Sequence, residues 1–79
     1  MMPLLFVRRD VDGHSHYATA ELENLDRVIV NAQNANCVCI GLLDRDQVNP
    51  QSMFFTAAEA RSLAYELLAA ADAVERSAA

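Results

Sequence analysis

The chain has 79 residues, which is one domain, and folding at this size removes only about 60% of the surface that the unfolded chain exposes. Eleven acidic side chains face six basic ones, all arginine, for a net charge of −5. With Arg8-Arg9 as the one adjacent basic pair, that balance excludes a phosphate-backbone binder, and no run approaches the 18 apolar residues of a membrane span.

The first element expected is a strand over 4–9, "LLFVRR". Asp12-Gly13 follows, a hairpin signal whose central residues accept positive φ. A two-residue turn there sets Val11 against His14 and Val7 against Ala18, so that His14, His16, Ala18 and Ala20 share a face with Val7. Tyr17 and Thr19 then take the other face. Residues 20–26 fit a strand or a helix, because Leu22, Leu25, Val28 and Ile29 carry helical spacing. The β-branched "VIV" at 28–30 favours a strand from about Arg27. "QNAN" at 33–36 reads as a turn, "CVCIGLL" at 37–43 as a strand apolar on both faces, and "DRDQVNPQ" as a polar loop. "SMFF" forms a short last strand.

The C-terminal helix is specified at several levels. Thr56 and Glu59 form a capping box, and the alanines, leucines, glutamates and arginines that follow are strong helix formers. At 100° per residue Ala60, Leu63, Ala64, Leu67, Ala70, Ala71 and Val74 fall on one stripe, and Asp72 and Arg76 make a favourable i,i+4 pair. The expected fold is α+β: one domain over 1–79, with an antiparallel sheet of three to five strands and one long C-terminal helix across it.

One helix covers one sheet face, yet Val38, Ile40 and Leu42 alternate with Cys37, Cys39 and Leu43. Phe6, Tyr17 and one of Phe54 and Phe55 are expected opposite the helix. The surplus apolar surface points to a homodimer. Beside the main stripe, Arg61, Tyr65 and Leu68 form a second strip of the residue types that anchor protein interfaces, and these three are the candidate partner-binding residues.

Chemistry-bearing residues are few. His14 and His16 are expected on one strand face, and Cys37 and Cys39 on another, so that a His2Cys2 metal or thiol site forms if the two strands are neighbours. The x1 spacing departs from the Cys-x2-Cys of structural zinc sites, and the bland alternative is core cysteines beside a solvated hairpin. Asp10-x-Asp12-Gly13 lacks the further acidic ligands of a calcium loop. Ser15 points away from its flanking histidines, and Gly13 and Gly41 alone supply no glycine-rich phosphate loop. The expectation is therefore no catalytic residues, no cofactor and no metal.

Residues 54–79, "FFTAAEARSLAYELLAAADAVERSAA", look like the ending of many small bacterial and bacteriophage proteins, in which a strand enters a Thr-x-x-Glu-Ala-Arg-x-Leu-Ala helix. The matched positions are Thr56, Glu59, Ala60, Arg61, Leu63 and Ala64. The resemblance implies a prokaryotic or phage accessory protein that works by contact. The opening "MMPLLFVRRD" lacks the apolar run of a secretory leader. Together these readings predict a cytoplasmic, homodimeric, non-enzymatic module that binds a host or partner protein, with a metal-binding or thiol-responsive protein using His14, His16, Cys37 and Cys39 as the alternative.

Overall fold

The computed structural model describes residues 4–33, 37–46 and 50–78. It has the expected α+β fold, a five-stranded antiparallel sheet packed against one C-terminal helix. The strands are β1 (Val7–Arg8), β2 (His14–Glu21), β3 (Arg27–Gln33), β4 (Cys37–Leu43) and β5 (Gln51–Phe55), and the helix is α1 (Ala57–Ala78). Their order in the sheet is the order in the chain, so each strand pairs with its sequence neighbour.

The first hairpin turns where expected. Gly13 has φ of 81°, and the His14 N–H donates to the Val11 carbonyl at 3.1 Å. Its register is not the expected one: Val7 faces Thr19, and Arg8 faces Ala18. The cause is a bulge between His14 and His16, where β2 carries one more residue than either neighbour across it. Beyond the bulge every side chain of β2 has changed face relative to the simple hairpin.

Residues 22–26 are a tight turn, which resolves the ambiguous stretch between β2 and β3. Leu25 N–H donates to Leu22 O at 2.9 Å and Leu22 N–H to Asp26 O at 2.7 Å. Asn24 ties the turn through its side chain, accepting from Asp26 N–H and donating to the Asp26 carboxylate, both at 3.0 Å. Leu25 takes φ of 72°, in the left-handed region where its Cβ is strained. The same Asp26 accepts from Arg45 N–H at 2.9 Å and so pins the segment after β4. The expected turn at 33–36 lies mostly outside the described residues, with Gln33 ending β3; residues 47–49 of the polar loop also lie outside them.

The capping box forms as written in the sequence. Glu59 N–H donates to Thr56 Oγ1 at 3.1 Å, and Thr56 N–H donates to Glu59 Oε1 at 2.9 Å. Thr56 alone separates β5 from α1, so the helix leaves directly from an edge strand. This geometry corrects the expectation of a helix lying across the sheet. α1 touches β4 and β5, only Ala60 and Leu63 are half-buried, and residues from Ala64 to Ser77 are exposed.

The buried side chains among the described residues are all small: Ala18, Ala20 and Cys39. The molecule measures 44 × 32 × 21 Å with a radius of gyration of 14.0 Å. A compact chain of this length has a radius of about 11.6 Å. The extended shape follows from the helix that overhangs the sheet.

Candidate interaction surfaces

Cross-strand pairing sorts the sheet into two unlike faces. Ala18, Val30, Ile40 and Met53 form one row across four strands, flanked by Ala20, Val28 and Leu42 on one side and Ala32, Val38 and Phe55 on the other. These ten side chains are apolar, and because side chains paired across a sheet project to the same face, His16 beside Ala32 and Gln51 beside Leu42 complete the two flanking rows. Among the described residues polar groups reach this face at its margins, through Arg8 opposite Ala18, His16 opposite Ala32 and Gln51 opposite Leu42. Met53 and Leu42 remain 60% and 45% exposed.

The reverse face is mixed. One row runs Tyr17, Asn31, Cys39, Phe54, and the next runs Val7, Thr19, Ile29, Gly41, Ser52. Tyr17 and Phe54 thus share a face, as the sequence suggests, while Phe55 lies on the other. Asn31 Oδ1 is enclosed and accepts no hydrogen bond, a cost of about 1–3 kcal/mol. A shallow hollow near Val7, Thr19, Glu21 and Arg27 has a volume of about 240 Å³. That is below the roughly 300–1,000 Å³ of small-molecule pockets.

The helix supplies the second apolar surface. Leu67 and Val74 of the stripe are 61% and 59% exposed. Arg61, Tyr65 and Leu68 are also exposed, Tyr65 at 72%, and they centre about 125° around the helix from the stripe. The two surfaces are therefore separate. A contact that covers the stripe leaves the Arg61-Tyr65-Leu68 strip facing outward.

The histidines and cysteines do not assemble as the metal alternative requires. His14 stands opposite Gln33 and His16 opposite Ala32, so the bulge sends the two imidazoles to opposite faces. His14 instead meets Tyr17 edge-on, with ring centroids 5.5 Å apart, and its Nδ1 lies 3.1 Å from the Asp12 carbonyl oxygen. The cysteine strand β4 is separated from β2 by β3, a gap of about 9.5 Å from two strand spacings. Among the described residues no three metal-ligating side chains converge. Cys37 and Cys39 are free thiols, half-buried and buried respectively.

No family model, curated protein or solved structure matches this chain. The physical surfaces therefore carry the functional reading. Helical spacing alone gives the stripe and the strip on α1, whereas the composition of the largely apolar sheet face also depends on the register of β2. Its signal was the alternation Val28, Val30, Ala32 against Ile29, Asn31, Gln33. Nothing in "HSH" marks the bulge.

Proposed function

We propose that this protein is a non-enzymatic protein-interaction module that works as a homodimer, with Arg61, Tyr65 and Leu68 presented to a further protein partner. The observation that carries the reading is the surface area. The chain exposes 6463 Å², whereas a compact monomer of 8.7 kDa exposes about 4,700 Å². The excess is roughly 1,700 Å² per chain, the exposed side chains include Met53, Leu67, Leu68 and Val74, and association is the ordinary way a small domain removes apolar surface from water.

Light scattering over a concentration series tests the first half of the proposal: a mass of two chains is expected, and a single-chain mass throughout the series overturns it. For the second half, Arg61→Ala with Tyr65→Ala should reduce capture of the partner at least about tenfold while leaving the dimer mass and helical content unchanged. Undiminished capture by that double variant removes the strip from the binding surface.

A further inference from the structure

We infer that the dimer is reciprocal: the overhanging part of α1 from each protomer lies on the largely apolar sheet face of the other. The inference rests on the homodimer reading and specifies what occupies each open surface. The chain carries one largely apolar face that is only partly covered, half-buried at Val28, Val30, Val38 and Ile40 and open at Leu42 and Met53, and one apolar stripe short of a seat, from Ala64 through Val74. Helix against helix would close the stripes and leave both sheet faces in water. Sheet against sheet would do the reverse. Under a two-fold axis each surface meets its counterpart twice, so the exchange alone closes all four.

Dimensions agree with this arrangement. The exposed length from Ala64 to Ser77 is about 20 Å of helix, and the seven residues of β4 extend about 23 Å. The surplus of roughly 1,700 Å² per chain, doubled, also falls within the range of about 2,000–5,000 Å² buried by obligate homodimers and well beyond the roughly 1,600 Å² of a standard contact. Arg61, Tyr65 and Leu68 stay outside the contact.

The deciding experiment uses the unaltered chain. Isotope-labelled and unlabelled protein are unfolded together and refolded, and isotope-filtered NOEs are recorded alongside the solution mass. Intermolecular NOEs from the Leu67 and Val74 methyls to those of Val28, Val30 and Ile40 are expected. A dimer that shows only helix-to-helix or only sheet-to-sheet intermolecular NOEs overturns the reciprocal arrangement and leaves the dimer reading standing. A monomer overturns both. Met53→Asp gives an independent check, because the side chain is solvent-exposed within one chain and covered in the proposed contact. Its dimer dissociation constant should rise at least about tenfold, and an unchanged constant overturns the arrangement.

Discussion

The two ends of α1 have the same composition and different surroundings. At the N-terminal end the capping box closes on Thr56, and Ala60 and Leu63 are half-buried beside the β4–β5 edge. From Ala64 onward the same alanine and leucine pattern continues into solvent. Amphipathic periodicity thus states which side of a helix is to be covered and is silent about what covers it. The coverage differs because one residue joins β5 to α1, which fixes where the helix begins, and because β5 is the outermost strand.

Leu67→Asp probes the difference most strongly. It sits on the stripe at the exposed end, so one chain by itself should keep its fold while the dimer loses two apolar contacts and gains two charges. The affinity of the dimer should fall by at least about 100-fold, read by sedimentation or light scattering at micromolar concentration. Full dimer mass for this variant would mean that the stripe beyond Leu63 is not part of the self-contact. Thr56→Ala acts at the seated end and should lower the unfolding free energy by about 1 kcal/mol, because the Glu59 N–H loses its Thr56 Oγ1 acceptor while the backbone N–H of residue 56 keeps its bond to Glu59. Denaturant melts would show it, and no change would mean that the first turn is held by packing alone.

The smallest effect lies away from the helix and has the opposite sign. Leu25 is 53% exposed and held in the left-handed region, so Leu25→Gly should stabilise the chain by about 0.5–1 kcal/mol in the same melts. A loss of stability there would show that the leucine side chain makes contacts worth more than the strain.

What could be read directly from the residues was local. Thr56 with Glu59, the positive-φ glycine after Asp12, the β-branched run of β3 and the apolar run of β4 each carry their own physical cause within a few positions, and each appears in the structure. The failures were relational. One extra residue between His14 and His16 exchanged the faces of β2, placing Val7 beside Thr19 and separating the histidines, and neither side-chain type nor spacing signals a bulge there. The direction in which α1 leaves the sheet was equally hidden, because it depends on the backbone at Thr56 and not on the helix's own pattern. The candidate strip of Arg61, Tyr65 and Leu68 was readable because all three sit on one element, where angular position follows from spacing alone.

The strict neighbour-to-neighbour order of the five strands carries a kinetic consequence. Every pairing closes a short loop, so the sheet assembles from adjacent segments at little entropic cost, and a topology of low contact order forms quickly. The far end of α1, last in the chain and seated on a second copy in the proposed dimer, joins in a step that depends on encounter. Refolding then divides into an early phase indifferent to protein concentration and a later one that accelerates with it.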